Sequence, residues 1–145
     1  PFQATLRFRM VEFHQGDTDC LKMSKLVQYV IVRHDILKEM QYPMGAFVSH
    51  TCHATTACLQ LFKDDPQVIE YLADLDNMTK IVIDVPNEDG LMKVAKILDE
   101  HEIKYTIWME QPENMPTCIA VKPYRKEELK PYIGKYKLYS YTIID

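Results

Sequence analysis

Two histidines three residues apart are the most unusual polar feature of the chain. His50 and His53 lie in the segment 45–62, whose apolar residues recur at helical spacing. On such a helix they share a stripe with Ala46 and Ala57, roughly 80° from the apolar stripe. The positive N-terminal end of the helix favours a neutral imidazole, and a neutral imidazole suits a general base. The spacing leaves open the alternative of two ordinary histidines at a surface or a sheet edge.

A metal ion bound to the same helix is a second alternative. His50 and His53 are spaced like a pair of ligands, and Cys52 lies between them. On a helix Cys52 points about 100° away from His53, so the three side chains do not converge. A third ligand would have to come from a distant residue such as Glu110. We therefore expect no metal and no cofactor.

Glu110 and Thr117 lie at the ends of two predicted strands that are neighbours in sequence. Glu110 ends the strand 105–110, and Thr117 begins the strand 117–121. In α/β folds the ends of strands and the beginnings of helices meet at the ligand cleft. We therefore expect Glu110 to face His53, to orient its ring and to stabilise its protonated form, while Thr117 supplies a hydroxyl. The alternatives are a solvated loop carboxylate and an ordinary β-branched strand residue.

Basic residues gather near the end of the chain. Residues 122–137 contain six lysines or arginines against two glutamates, and tyrosines are interleaved with them. Cations beside aromatic rings suit contacts with phosphates and with stacked bases. The alternative is the solvated face of an amphipathic helix. The candidate binding cations are Lys122, Arg125, Lys126 and Lys130.

The composition excludes several kinds of site. The chain has 145 residues and four glycines, none at the spacing of a dinucleotide-binding turn or a Walker loop. No serine lies in a Gly-x-Ser-x-Gly motif, which excludes a nucleophile elbow. The four cysteines lack Cys-x-x-Cys spacing, so we expect reduced thiols and a cytoplasmic setting, with a mitochondrial location left open. Because no apolar stretch reaches about 18 residues, we expect no membrane partner.

The acidic net charge of −4 argues at first against a nucleic-acid partner. The acidity is local, however. Residues 63–102 contain four basic and eleven acidic residues, so the rest of the chain is net positive. A surface that contacts nucleic acid therefore remains compatible with the composition, outside this acidic middle segment.

The apolar patterns predict the element order β-α-α-β-α-β-β-α. The strands are predicted at 26–33, 81–85, 105–110 and 117–121, and the helices at 45–62, 64–75, 87–98 and 125–136. This order predicts an α/β fold with a mixed, mostly parallel four-stranded sheet and helices packed on it. We expect an N-terminal arm (1–25), one domain (26–139) and a C-terminal tail (140–145). Apolar residues at 138–144 suggest a homodimer interface.

Two stretches of the chain resemble the opening of the type-2 peptidyl-tRNA hydrolases. In that family a strand ends in Arg-x-Asp, as at Arg33-His34-Asp35, and a helix that starts with Gly-Lys and continues as Ala-Gln-x-x-His-Ala follows, as at residues 45–54. The motifs Cys52-His53-Ala54 and Gln111-Pro112-Glu113-Asn114 are similar to those of the divergent branch called peptidyl-tRNA hydrolase domain-containing proteins. The resemblance covers about residues 26–139.

The resemblance implies hydrolysis of the ester between a peptide and tRNA, with tRNA as partner and with dimers common in the family. By position, His53 matches the family histidine and Thr117 its late threonine. Three positions differ, because Ala46 stands for the family lysine, His50 for its glutamine and Glu110 for its aspartate. Without the lysine, a catalytically impaired or inactive module that binds RNA or protein is the alternative function.

The expected mechanism follows from these positions. His53 activates a water, Glu110 orients His53, and the backbone N–H groups of Ala46 and Phe47 stabilise the oxyanion. His50 or Lys38 partly replaces the lysine. The basic segment 122–137 holds the tRNA backbone.

Overall fold

A computed structural model describes residues 24–140 and shows an α/β fold around a strand that is buried along its whole length. That strand, β1 (Leu26–Arg33), consists almost entirely of β-branched, aliphatic and aromatic residues, as expected for a strand covered on both faces. Within residues 24–140 the other strands are β2 (Lys80–Val85), β3 (Tyr105–Glu110), β4 (Met115–Val121) and β5 (Tyr124–Arg125).

The helices follow the predicted order, with a short addition after β1. The described residues form α1 (Asp35–Lys38), α2 (Met44–Leu61), α3 (Pro66–Ala73), α4 (Glu88–Glu100) and α5 (Lys126–Ile133), with a 3-10 turn at Leu75–Asn77. Side-chain caps begin two of these helices, since Asp65 Oδ1 accepts from Gln67 N–H and Asn87 Oδ1 accepts from Gly90 N–H. No described helix is long and apolar enough to cross a membrane.

The strand order is β2-β1-β4-β3, and β5 pairs with the start of β1. The α/β class and the mixed sheet are confirmed, but the expectation of a mostly parallel, four-stranded sheet needs correction. β1 and β2 are parallel, whereas β4 runs antiparallel to both of its neighbours. Because the reversed strand β4 is inserted between β1 and β3, one of the three pairs along this path is parallel, and β5 adds a fifth strand.

The sheet separates two apolar cores, and each core lies under different helices. On one face, apolar side chains of β1 pack with those of α4 and α5, which include Leu98 and Ile133. On the other face, Val30 and Val32 pack with Phe47 and Ala54 of α2. The sheet therefore places the helix with the two histidines and the basic helix α5 on opposite faces.

A β-bulge interrupts the pairing of β3 with β4. Trp108 pairs with Cys118, but the next residue, Met109, pairs with Pro116, so Thr117 is the extra residue on β4. Proline has no N–H for the ladder and is tolerated at such an irregularity. The bulge lies near the end of β3, whose last residue is Glu110.

Most of the predicted arm and tail lies outside the described residues. Of the segment 1–25 the structure describes residues 24 and 25, and of the segment 140–145 it describes residue 140. The homodimer interface expected at 138–144 falls mostly in this undescribed part. It stays a prediction.

Candidate active site

A buried histidine pairs with a carboxylate where α2 crosses the end of β3. The ring of His50 is almost fully buried, and its Nε2 lies 3.3 Å from Glu110 Oε2. Glu110 remains partly open to solvent, with 28% of its side chain exposed. The Sγ of Cys118 donates to the carbonyl oxygen of His50 (3.4 Å), which ties α2 to β4 at this level. The pair thus stands at the boundary between core and solvent.

His53 contacts an aromatic ring instead of the carboxylate. Its exposed imidazole stacks on the indole of Trp108, with ring centroids 4.6 Å apart and an interplanar angle of 22°. Trp108 Nε1 donates a hydrogen bond to Glu110 Oε2 (2.9 Å). Among residues 24–140, no hydrogen bond or ion pair joins His53 to Glu110. The expectation that Glu110 contacts His53 is therefore corrected, because the rotation of α2 aims His50 at Glu110 and His53 at Trp108.

Burial sets the charge state of His50. Loss of solvent lowers the pKa of His50 below its ordinary value, and the neighbouring His53 lowers it further, while Glu110 and Glu113 oppose the shift. His50 is therefore neutral near pH 7. Its Nε2 faces the carboxylate of Glu110, and its buried Nδ1 has no hydrogen-bond partner among the described residues.

Thr117 is buried and serves the strand that carries Trp108. Thr117 is 1% exposed, and its Oγ1 donates to the carbonyl oxygen of Trp108 at 3.4 Å. This bond crosses the β-bulge. Since the hydroxyl is used inside the fold, the structure gives Thr117 a positioning contact. We expected the Thr117 hydroxyl to contact the substrate, and this contact would require the fold to open around the buried side chain.

Arg33 is a buried cation that the sequence reasoning did not single out as a site residue. Its guanidinium forms a bidentate pair with Asp35 at 2.9 and 2.7 Å, and Nη1 also bonds Glu88 (3.1 Å) and the carbonyl oxygen of Pro116 (2.9 Å). The contact with Asp35 raises the pKa of Arg33 above its ordinary value. Arg33 thereby links β1, α4 and the bulge beside Thr117. The Arg-x-Asp motif was the signal that could have identified it.

The first turn of α2 presents N–H groups that have no hydrogen-bond partner among the described residues. Pro43 precedes the helix and supplies no side-chain cap, and the first intrahelical bond runs from Phe47 N–H to Pro43 O (3.1 Å). The N–H groups of Met44, Gly45 and Ala46 therefore have no intrahelical acceptor. We expected the N–H groups of Ala46 and Phe47 to be the oxyanion donors. Phe47 is corrected, because its N–H is bonded within the helix and its side chain is buried against Tyr139. Among the described residues, no atom lies within 4 Å of the position that a Cβ at Gly45 would occupy.

The predicted binding cations do not converge on this site. Lys122 is buried, and its ammonium donates to Asp65 (3.0 Å), Gln67 (2.7 Å) and Pro123 O (3.2 Å), so its three donors are occupied. Arg125 donates to both carboxylate oxygens of Glu70 at 2.7 and 2.6 Å.

Lys126 and Lys130 remain exposed on α5. They border an open cavity of about 560 Å³ on the sheet face opposite α2. In contrast, the ammonium of Lys122 is buried and fully bonded, so it does not contact a substrate in this structure.

The described cysteines are free thiols. Cys52 is exposed, and Cys58 and Cys118 are buried thiols without a disulfide. Burial raises the pKa of Cys58 to about 11 and that of Cys118 to about 12, which keeps both thiols protonated. Within residues 24–140, no group of three or more His, Cys, Asp or Glu side chains is arranged to hold a metal ion.

Comparison with known proteins identifies relatives over most of the chain. The family model described as "Peptidyl-tRNA hydrolase PTH2" matches residues 26–139. A protein of Mus musculus named "Putative peptidyl-tRNA hydrolase PTRHD1" is 43% identical over 115 residues, which cover 79% of this chain and 82% of the relative. The Homo sapiens protein of the same name is 42% identical over 115 residues, with the same shares covered.

Proposed function

Since the chain belongs to the peptidyl-tRNA hydrolase PTH2 family, we propose that it hydrolyses the ester that joins a peptide to tRNA. One observation carries the proposal. The exposed imidazole of His53 is fixed on Trp108, and the same indole donates to the carboxylate of Glu110. A base and a negative charge thus lie on the two sides of one rigid side chain, at the surface of the domain.

In the proposed reaction, His53 acts as the general base. It takes a proton from a water whose oxygen attacks the ester carbonyl carbon, and a bond forms between that oxygen and carbon. The bond from the carbonyl carbon to the ribose oxygen then breaks, and the imidazolium returns the proton to the leaving ribose oxygen. The negative charge of Glu110 stabilises the imidazolium through space, and Trp108 lies between the two groups. No cofactor enters these steps.

The start of α2 is the proposed oxyanion site. The N–H groups of Gly45 and Ala46 have no intrahelical acceptor, and the open space at Gly45 admits a carbonyl group. Ala46 and His53 lie on the same stripe of the helix, about two turns apart. Backbone donors at a helix N-terminus favour the negative oxygen of the tetrahedral intermediate without any reorganisation during the reaction.

The first experiment compares wild type with His53→Ala in release of the acyl group from a purified N-acetylated aminoacyl-tRNA. We expect kcat to fall at least about a hundredfold, as general-base removal typically costs. His101→Ala is the matched control, because His101 is an exposed histidine at the end of α4 and contacts Tyr132. Unchanged turnover in His53→Ala would eliminate this base.

A non-catalytic module that binds RNA or protein is the second candidate function. The observation that favours it is the half-exposed Ala46, which stands where the resemblance places a lysine on the catalytic stripe. A methyl group at this position holds no phosphate and stabilises no oxyanion. Wild-type protein that binds the acylated tRNA but releases no acyl group over hours would favour this candidate.

A further inference from the structure

We propose that Trp108 is a positioning residue that holds the imidazole of His53 and the carboxylate of Glu110 in one fixed arrangement. The inference deepens the proposed function and rests on it. Trp108 is half-buried on β3, two residues before Glu110, so both side chains emerge on the same face of the strand. Its ring faces His53 and its N–H faces Glu110, which assigns one contact to each part of the indole.

The hydrogen bond from the indole selects which carboxylate oxygen is available. Glu110 Oε2 accepts from Trp108 Nε1 (2.9 Å) and lies 3.3 Å from His50 Nε2. The indole N–H and His50 Nε2 therefore both approach Oε2, and Oε1 has no hydrogen bond to any residue that the structure describes. This arrangement fixes the torsion of the carboxylate and keeps one oxygen available towards solvent.

One side chain bonds the backbone of Trp108, and a second bonds the backbone of the facing strand β4. Thr117 Oγ1 donates to the carbonyl oxygen of Trp108 across the bulge, and Arg33 Nη1 donates to Pro116 O on the other side of Thr117. Arg33 is buried and bound to Asp35, so this support comes from the rigid centre of the sheet. The strand segment that carries the indole is thus bonded to the buried part of the sheet.

An apolar packing role alone does not require these contacts. A core tryptophan whose function is volume tolerates phenylalanine with a loss of stability and no specific change in chemistry. Trp108→Phe keeps an aromatic ring below His53 and removes the N–H that donates to Glu110. Trp108→Leu also removes the ring.

The test measures kcat and KM for Trp108→Phe in the wild-type and Glu110→Gln backgrounds. Loss of a hydrogen bond to a charged group predicts an approximately ten- to hundredfold fall in kcat at unchanged KM. In the Glu110→Gln background we expect less than a threefold further loss, because Trp108 acts through Glu110. Equal losses in both backgrounds, or an unchanged kcat in Trp108→Phe, would overturn the proposal.

Tyr105→Phe is the matched control on the same strand. It removes the hydroxyl that donates to Asp99 (2.8 Å), another aromatic-to-carboxylate bond, at the far end of β3 from Glu110. We expect kcat to stay within twofold of wild type. A loss of the size seen in Trp108→Phe would mean that β3 responds to any lost bond, and this result also contradicts a specific role of Trp108.

A spectroscopic measurement separates this inference from the proposed reaction. In NMR spectra, the Nε1–H signal of Trp108 should shift in Glu110→Gln, and ring-current shifts of His53 should persist in Trp108→Phe but vanish in Trp108→Leu. Wild-type protein without hydrolase activity but with these shifts would defeat the proposed function and leave the positioning intact. An Nε1–H signal that is unaffected by Glu110→Gln would overturn the positioning itself.

Discussion

His50 Nε2 lies 3.3 Å from Glu110 Oε2, so the carboxylate at the end of β3 is paired with the buried histidine of α2 and not with the exposed one. The two histidines consequently have different environments on one helical stripe. His50 is enclosed, neutral and directed at a carboxylate, whereas His53 is open to solvent and supported by an indole. We infer that His50 serves the geometry of the site and that His53 serves its chemistry.

The buried imidazole of His50 predicts a pH-dependent stability. Burial lowers the pKa of His50 in the folded state, so between that value and the ordinary value near 6.5 the unfolded chain binds more protons. The free energy of unfolding should therefore fall as pH drops below about 6.5. His50→Gln removes this titration, and urea unfolding at pH 7.5 and 5.5 should show a smaller pH difference than in wild type. An equal difference in the two proteins would contradict the assignment.

Removal of the Arg33 guanidinium should strongly destabilise the fold. Arg33→Met leaves Asp35 without its partner at a position where both side chains are less than 10% exposed. Breaking such a buried pair typically costs about 3–5 kcal/mol, and urea denaturation should register a loss of this size. Lys96→Met is the control, because the pair of Lys96 with Glu100 is exposed and worth less than about 1 kcal/mol. Equal losses in the two variants would show that the Arg33 cluster is not a structural centre.

The local features of the fold were predictable from the sequence, and its long-range pairings were not. The run 26–33 is apolar at nearly every position, which indicates a buried strand, and the caps Asp65 and Asn87 act on residues two and three positions later. The insertion of β4 between β1 and β3 depends on contacts between distant segments. Apolar patterns do not encode which strand a buried strand pairs with, so the prediction of a mostly parallel sheet was wrong.

The site was predictable as a set of residues but not as a set of contacts. His50, His53 and Glu110 do meet near Trp108, as the helix start and strand end suggested. Which histidine faces the carboxylate depends on the rotation of α2 over β3, and the spacing of the two histidines does not set that rotation. The bulge at Thr117 and the burial of Lys122 against Asp65 depend on tertiary packing, and neither leaves a periodic signal in the sequence.

Ala46→Lys should increase hydrolysis if the chain is an enzyme that works without the lysine implied by the family resemblance. A cation on the stripe of His53, beside the unpaired N–H groups of α2, stabilises a developing oxyanion by about 3 kcal/mol, which corresponds to a roughly hundredfold rise in kcat/KM. Gln60→Lys, at the other end of the same helix, adds the same charge and should leave the rate unchanged. Activity that is absent in wild type and present in Ala46→Lys would identify the natural protein as a non-catalytic module.

Substitution of Lys126 and Lys130 tests whether tRNA also contacts the face of the sheet opposite the candidate site. We propose that these exposed cations contact the phosphate backbone away from the ester, because they lie on α5 and the sheet separates them from His53. The double change to Glu should raise KM several-fold at low salt, reduce the dependence of KM on salt and leave kcat unchanged. The same double change at Lys93 and Lys96 on α4 alters the net charge identically and provides the control. If both double variants raise KM equally, the effect is general repulsion, and α5 is then excluded as a specific contact for tRNA.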